Sequence, residues 1–243
     1  MLRQSLAFLS FLILAGCAQV PESKVDERDP LQSINRPLYD FNMDVLDAYI
    51  LRPAAVGYVA VTPVPVRQSI VHFTDNLTAP VDIVNAGLQG KPGNASVSLA
   101  RFLVNSTVGI FGIFDVASSL GLNRVDEDFG QTMGVWGIGD GAYLMLPAMG
   151  PTTARNLTGD VVDNFVLPEI ALTTPQTVLV FALKAVEARA SLMAQEGLLN
   201  DSLDPYLFVK DIYFQRQLFE LYDGNPPIKE EPADFDEDFL ESL

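Results

Sequence analysis

The sequence predicts a mainly α-helical protein built of short amphipathic helices, and three observations support that fold class. First, apolar residues recur at the three-and-four spacing that places them on one face of a helix. Second, proline and glycine separate these segments at short intervals. Third, 49% of the 243 residues are hydrophobic and only 19% are charged, against about 25% in ordinary soluble domains. Such a chain is expected to keep apolar surface in contact with something other than water.

Charge and residue content exclude several classes of function. The chain has 15 Lys and Arg against 31 Asp and Glu, a net charge of -16, and no basic cluster for binding the phosphates of a nucleic acid. One cysteine excludes an intramolecular disulfide framework and a thiolate zinc site. The single histidine, His72, has no evident catalytic partner, so we expect no enzyme activity, no metal and no cofactor.

The N-terminus has the pattern of a secreted and lipidated protein. Residues 1–16 form a signal peptide whose apolar stretch is too short to span a bilayer. Leu14-Ala15-Gly16-Cys17 resembles a bacterial lipobox, which predicts acylation of Cys17 and an anchor of several acyl chains. Ala18 after the cysteine is typical of an outer-membrane destination. Residues 17–30 are predicted to be a lipidated flexible tether.

The helical domain is predicted to cover residues 31–224, and its first half contains four helical segments. The first begins at Leu31 and ends at Arg52-Pro53. A second runs from about Val66 to Leu77, and Ala79-Pro80 starts a third. A fourth is expected over about residues 94–108.

The second half of the domain begins with an unusual segment and ends in two long helices. Residues 109–121 are rich in Ile and Phe yet broken by glycine, which fits either buried core or insertion into a membrane interface. Thr174-Pro175 opens a long helix that Gly197 can close, and Asp204-Pro205 opens the last one. Residues 225–243 are acidic and are predicted to be a disordered tail.

Several motifs in this order resemble those of the MlaA/VacJ family of outer-membrane phospholipid-transport lipoproteins. The resemblance extends from Asp29 to about Gln217. Its most specific segments are Asp29-Pro30-Leu31, Leu51-Arg52-Pro53, Phe73-Thr74-Asp75-Asn76-Leu77, Arg101-Phe102-Leu103-Val104-Asn105, Phe129-Gly130-Gln131-Thr132-Met133-Gly134, Trp136-Gly137-Ile138-Gly139, Asp204-Pro205-Tyr206 and Tyr213-Phe214-Gln215-Arg216.

This resemblance implies a ring-like or disc-like single domain of short amphipathic helices in the inner, periplasmic leaflet of the outer membrane, around a central amphipathic passage. By the family pattern, Asp40, Phe41 and Asn42 of the first helix lie near this passage. A glycine-rich hairpin loop from Phe129 to Tyr143 is then the candidate gate. Its candidate residues are Phe129, Gly130, Gly134, Trp136, Gly137, Gly139, Gly141 and Tyr143.

The implied function is removal of mislocalised phospholipids from the outer leaflet of a Gram-negative cell. The lipids would pass to a periplasmic carrier linked to an inner-membrane ABC transporter, and the family also associates with trimeric porins. A second hypothesis is an adaptor that docks on a porin without conducting lipid. A third is an envelope lipase that uses a serine with His72.

Overall fold

The computed structural model describes residues 26–166 and 174–227, and this part of the chain is mainly helical, as predicted. The predicted signal peptide, Cys17, residues 17–25 of the predicted tether and residues 228–243 of the predicted tail lie outside the described residues. The helices are α1 (Gln32–Asp40), a π-helix (Phe41–Leu51), α2 (Arg52–Val61), α3 (Val64–Leu88), α4 (Pro92–Thr107), α5 (Val116–Ser119), α6 (Phe129–Val135), α7 (Ala154–Val166), α8 (Thr174–Leu192), a 3-10 turn (Met193–Gln195), α9 (Glu196–Asn200) and α10 (Pro205–Leu221). The strands are β1 (Tyr143–Leu146) and β2 (Gly150–Thr153).

The first helix does not end at Arg52-Pro53. It continues through the π-helix into α2 and ends at Val61, where Thr62 turns into an extended conformation. Pro53 lies at the second position of α2, close to the end of the π-helix. There the hydrogen-bond pattern changes, so a missing N–H donor costs little.

The expected new start at Ala79-Pro80 is also wrong. Helix α3 runs without interruption from Val64 to Leu88, with Pro80 inside it. Proline removes one hydrogen bond from a helix interior. The long contact of α3 with α4 and the burial of Ala79 and Ala86 stabilise the continuous helix in spite of that loss.

The hairpin lies further along the chain than predicted. The segment expected to be a hairpin, from Phe129 to Tyr143, begins instead with helix α6, and Asp128 caps it by accepting a hydrogen bond from the backbone N–H of Gln131 at 2.7 Å. The observed hairpin pairs β1 with β2 in antiparallel register, Tyr143 opposite Thr153. The local cap at Asp128 therefore outweighs the glycine content of the following residues.

Residues 26–30 are folded, although they were assigned to the flexible tether. Asp29 is fully buried, and its carboxylate accepts hydrogen bonds from Asn35 Nδ2 at 2.8 Å and Tyr206 Oη at 2.5 Å. Lys210, itself buried, lies 2.9 Å from Asp26 and 3.4 Å from Asp29. Residues 26–29 therefore belong to the folded domain, because a buried carboxylate and ammonium tie them to α10.

The C-terminal helices follow the sequence pattern at their starts more closely than at their ends. Helix α8 begins at Thr174, and α10 begins directly after Asp204, whose side chain accepts from the N–H of Leu207 at 3.2 Å. Gly197 does not close α8, because α8 ends at Leu192 and Gly197 lies inside α9. Helix α7 was not predicted.

Polar side chains dominate the interior. Among the residues that the structure describes, eighteen polar or charged side chains are buried against nine apolar ones. The main aromatic cluster joins Tyr39, Tyr143 and Tyr206 with Met145, with ring centroids 5.7 Å apart for the first and third tyrosines. Many large apolar side chains are exposed instead, along α1 to α3, on the 108–114 loop and along α8.

The described helices do not include a single one that is long and apolar enough to cross a bilayer. One pair reaches that length and composition only together: the helices Gln32–Val61 and Val64–Leu88, which meet at a bend of 119°.

Candidate functional site

An open, charged cavity of about 540 Å³ lies between the first long helix and the C-terminal helices. The wall formed by α1, the π-helix and α2 contributes Arg36, Tyr39, Asp40, Met43, Asp44, Asp47, Ala48 and Arg52. The opposite wall, formed by α8, α9 and α10, contributes Arg189, Glu196, Leu199, Asn200, Asp204, Pro205 and Tyr206.

The π-helix positions the acidic residues of the first wall. Asp40, Asp44, Ala48 and Arg52 lie at every fourth position and all face the cavity. π-helical turns are rare in proteins and are frequent at functional sites, which marks this wall as a candidate site.

Three ion pairs join the two walls of the cavity, Arg189 with Asp47, Arg52 with Glu196 and Arg36 with Asp204, and a further pair links Arg189 to Glu196 within the second wall. Arg189 binds Asp47 at 2.5 and 2.9 Å and Glu196 at 2.5 Å, and Arg52 binds Glu196 at 3.3 Å. The hydrogen bonds from Arg52 and Arg189 hold the pKa of Glu196 below its usual value. These contacts fix the π-helix against α8 and α9 across the opening.

The pair between Arg36 and Asp204 joins α1 to the cap residue of α10. Arg36 donates two hydrogen bonds to Asp204, at 2.6 and 3.2 Å, and these hydrogen bonds lower the pKa of the Asp204 carboxyl. The guanidinium carbon of Arg36 also lies 4.7 Å from the ring centre of Tyr206. Burial and the neighbouring charge of Asp40 raise the pKa of Tyr39 to about 12.

The cavity has an acidic excess. Its walls contribute five carboxylates and three guanidiniums, and Asp40 and Asp44 form no ion pair with any residue that the structure describes. Both carboxylates are exposed and therefore remain accessible to a cationic or polar group that enters the opening.

The three residues expected at the passage are not together. Asp40 lines the cavity. Phe41 is exposed and does not line it. Asn42 is buried and supports the hairpin turn, because its Nδ2 donates to the carbonyl of Leu146 at 2.9 Å and its Oδ1 accepts from the N–H of Ala148 at 3.0 Å. Asn42 therefore supports the hairpin and does not contact the contents of this cavity.

The first half of the predicted gate is a packed helix. Gly130 lies so close to α7 that an added Cβ would lie 2.8 Å from Oδ1 of Asn156. A Cβ at Gly134 would lie 2.9 Å from Cδ1 of Leu221 and 3.0 Å from a guanidinium nitrogen of Arg155. Phe129 and Trp136 form an edge-to-face pair with ring centres 5.7 Å apart. These residues serve close packing, so the mobility inferred from glycine content does not apply to this helix.

The second half of the predicted gate, residues 136–142, is an open loop between α6 and β1. Gly137 and Gly141 have positive φ angles of 86° and 69°, and the position of a Cβ at Gly139 has no atom within 4 Å. Arg155 holds this loop, because it donates to the carbonyl of Ile138 at 3.1 Å and forms an ion pair with Asp140 at 2.7 Å.

The ends of this open loop are fixed. The indole N–H of Trp136 donates to the carbonyl of Leu88 at 3.2 Å. Tyr143 is completely buried in the aromatic cluster. Any movement of the loop is therefore confined to the residues between these two anchors.

Ser98, which lines the same cavity as His72, is not hydrogen-bonded to it. His72 and Ser98 line a second, smaller cavity of about 240 Å³ between α3 and α4. The hydroxyl of Ser98 is buried and makes no hydrogen bond in the described part of the chain. A hydrolytic Ser–His pair requires a hydrogen bond between the two side chains, and this one has none.

The sequence does not predict the ion pairs that join the walls of the cavity. The sequence pattern places Arg189 on the helix that begins at Thr174, and it does not connect this residue with Asp47 or Glu196. The sequence does indicate that Arg189 has an acidic partner, because its guanidinium lies in a helix that is otherwise largely apolar. Such a group needs a carboxylate when it is partly buried, but the sequence does not say which carboxylate supplies it.

Comparisons with known proteins agree on one group of relatives. The family model described as MlaA lipoprotein matches residues 27–220. A protein named "Intermembrane phospholipid transport system lipoprotein MlaA" from Escherichia coli (strain K12) is 39% identical over 234 residues, 95% of this chain and 93% of its own length. A protein of the same name from Haemophilus influenzae is 36% identical over 224 residues, 90% of each chain.

A solved structure shares the fold. Its description reads "Structural basis for maintenance of bacterial outer membrane lipid asymmetry", and it is 40% identical to this chain with a TM-score of 0.75. The match covers 79% of this chain and 98% of that one. The mainly helical fold class predicted from the sequence is thereby confirmed.

Proposed function

The chain belongs to the MlaA lipoprotein family, and from that membership we propose that it is the outer-membrane lipoprotein of an intermembrane phospholipid transport system. It removes phospholipids that have reached the outer leaflet and passes them toward the inner membrane, which maintains lipid asymmetry. The observation that carries this proposal is 39% identity over nearly the whole length of a relative with that named function. The work is transport, and it needs no catalytic residue.

The distribution of polar and apolar groups supports this role physically. A lipid headgroup does not cross hydrocarbon cheaply, because an unpaired charge or polar group there costs several kcal/mol. This protein exposes much apolar surface and keeps charged groups around an open cavity. A headgroup in that cavity has polar partners while its acyl chains remain beside apolar surface. We therefore assign the role of passage to this cavity.

The proposed location is the outer membrane, and the proposed partners are a porin and a periplasmic carrier. Acylation of Cys17 anchors the domain in the periplasmic leaflet of the outer membrane. A trimeric porin holds it there, and a soluble periplasmic carrier receives the lipid for an inner-membrane ABC transporter. Loop 136–142 is the proposed gate, because Gly137 and Gly141 have positive φ angles and Gly139 has open space around it. Replacing Cys17 by Ser is expected to release the protein from the membrane fraction, and unchanged fractionation would refute the anchor.

Reconstitution tests the passage. Proteoliposomes containing a fluorescent phospholipid are incubated with a soluble lipid-binding acceptor, and transfer is followed by dequenching. Ala48→Trp adds a large side chain to the wall of the cavity, and Val45→Trp adds the same side chain to the same helix at an exposed position outside the cavity. We expect the first variant to slow transfer several-fold and the second to transfer lipid like the original chain. Equal transfer by both folded variants would refute this passage.

The adaptor hypothesis predicts a different result in the same assay. An adaptor would capture a detergent-solubilised porin and yet leave the labelled lipid in the vesicles. In cells, deletion of the gene is expected to increase phospholipid in the outer leaflet. Unchanged outer-leaflet phospholipid in the deletion strain would argue for the adaptor.

A further inference from the structure

The cavity between α3 and α4 contains a surplus carboxylate. Its volume is about 240 Å³, and its charged lining residues are Asp75, Asp82, Asp115, Arg101 and Arg124. Arg101 forms an ion pair with Asp115 at 3.0 Å, and Arg124 forms one with Asp75. Asp82 forms no ion pair with any residue that the structure describes. Both guanidiniums of the cavity are therefore matched, and the carboxylate of Asp82 is left over.

Burial makes this unpaired carboxylate costly. Asp82 is 9% exposed, and its Oδ1 accepts one hydrogen bond, from the backbone N–H of Glu127 at 3.3 Å. Burial, together with the charges of Asp126, Glu127 and Asp128, raises its pKa to about 8. A carboxylate removed from water has to be neutralised, either by a proton or by a cation. The described part of the chain supplies no cation to Asp82, so a cationic ligand would find a site here.

A second group in the same cavity also lacks a partner. Ser98 is 3% exposed, and its hydroxyl forms no hydrogen bond with the described residues. A buried polar group without a hydrogen bond is unfavourable, and in native structures it often marks the place of a water or an ion. Asp82 belongs to α3 and Ser98 to α4, and both line this one cavity. A ligand with a positive charge and several N–H donors is suited to both groups.

The size and the apolar part of the lining favour a small organic cation. Val71, Ala79, Phe102 and Val125 line the cavity beside the polar groups, and they offer an apolar wall to methylene groups. Pockets for drug-sized ligands measure about 300–1,000 Å³, so this cavity suits a smaller molecule. A primary ammonium group carries one charge and three N–H donors, as the side chain of lysine does. Ethanolamine combines such a group with two methylene groups and a hydroxyl.

A metal ion fits this cavity less well. Calcium takes about six to eight oxygen ligands, several of them from carboxylates. Two of the three carboxylates in the lining are already bound to guanidiniums. Within residues 26–166 and 174–227, no three His, Cys, Asp or Glu side chains are placed to hold a metal ion.

We propose that the cavity between α3 and α4 binds a small primary ammonium compound, with its ammonium group at Asp82 and Ser98. Its methylene groups pack against Val71 and Phe102. The ligand is ethanolamine, either free or as the headgroup of a phospholipid. Arg124 lines the cavity with a side chain that is 38% exposed, so the cavity is accessible from solvent at that side. The site shares no lining residue with the charged cavity, and it does not depend on the proposed transport function.

Isothermal titration calorimetry tests this site. Ethanolamine is titrated at pH 7 into full-length protein in phosphatidylglycerol nanodiscs. Asp82→Asn removes the charge and keeps the size of the side chain, and Ser98→Ala removes a hydroxyl that makes no hydrogen bond, so both variants keep the fold. Asp211→Asn is the matched control, because it removes the same charge from an exposed position on α10, outside both cavities.

We expect Asp82→Asn to weaken binding at least tenfold and Ser98→Ala at least threefold, whereas Asp211→Asn binds like the original chain. Binding should also release up to one proton, because the ammonium group stabilises the ionised form of Asp82. Titrations in phosphate and in HEPES measure this release, since the two buffers differ in ionisation enthalpy. Unchanged affinity in Asp82→Asn or in Ser98→Ala would overturn the proposed site.

The same titration in phosphatidylethanolamine nanodiscs identifies the source of the ammonium group. If the lipid headgroup occupies the cavity, free ethanolamine binds in phosphatidylglycerol nanodiscs and fails to bind in phosphatidylethanolamine nanodiscs. Equal binding in both kinds of nanodisc assigns the site to a free amine. Absence of binding in both would overturn the proposal and leave a cavity that holds only water.

Discussion

Replacing Lys210 by Met is expected to destabilise the fold strongly. The Lys210 side chain is 2% exposed and that of Asp29 is fully buried, with 3.4 Å between Nζ and Oδ2. Removing the ammonium leaves the Asp29 carboxylate buried with only the hydrogen bonds from Asn35 and Tyr206. Breaking one partner of a buried ion pair typically costs about 3–5 kcal/mol. That is a large part of a total stability of about 5–15 kcal/mol.

A matched control shares a partner with Lys210 but lies at the surface. Arg28 also binds Asp26, at 3.2 Å, with about half of its side chain exposed. Since exposed pairs contribute at most about 1 kcal/mol, Arg28→Met should have a small effect.

Urea unfolding in mild detergent, followed by far-ultraviolet circular dichroism, gives both free energies. The double variant Lys210→Met with Asp29→Asn should recover part of the loss, because the buried charge is gone. A Lys210→Met protein within about 0.5 kcal/mol of the original chain would refute the reasoning.

Three further predictions follow from burial and close packing. Burial, with the neighbouring charge of Asp126, raises the pKa of Asp82 to about 8, so the folded state holds a proton that the unfolded state releases above about pH 4. The free energy of unfolding should therefore fall as pH rises from about 4 to 8, by up to about 1.4 kcal/mol per pH unit. Asp82→Asn should flatten this pH dependence, as measured by urea unfolding at several pH values. The same pH dependence in the variant and the original chain would contradict this role of Asp82. Gly130→Ala should lower the free energy of unfolding by about 1–3 kcal/mol, because the added Cβ would crowd Asn156. Gly139 has open space around it, so Gly139→Ala should change that free energy by less than about 0.5 kcal/mol. Equal effects of the two substitutions in thermal unfolding would disprove the packing role of Gly130. Arg155→Gln should remove the ion pair to Asp140 and speed hydrogen exchange of loop 136–142, and unchanged exchange would show that Arg155 does not restrain it.

Helix starts were predictable from the sequence because their signals are local. An aspartate before a proline supplies both a cap and a first helical residue, and α10 begins at that position. Helix α8 begins at Thr174, directly before Pro175. Helix continuation was not predictable in the same way. Pro53 and Pro80 lie inside or beside continuous helices, because tertiary packing compensates for the missing hydrogen bond.

Little of the candidate site could be predicted from the sequence. Of the three residues expected near the passage, only Asp40 lines the charged cavity. The ion pair of Arg189 with Asp47 joins residues 142 positions apart, and no periodicity links such distant positions. Asn42, in contrast, is expected at the passage but is buried, and its amide instead forms hydrogen bonds with the hairpin.

The predominance of polar groups in the interior has a thermodynamic consequence. Exposure of apolar surface raises the heat capacity of an unfolding protein, and exposure of polar surface lowers it. Unfolding of this chain uncovers many amides, hydroxyls and carboxylates and comparatively few large hydrocarbon side chains. Its heat-capacity increment per residue should therefore fall below the usual 12–15 cal/mol/K, roughly, of water-soluble domains. The stability curve of the protein is then unusually flat, and cooling weakens the native state only slightly.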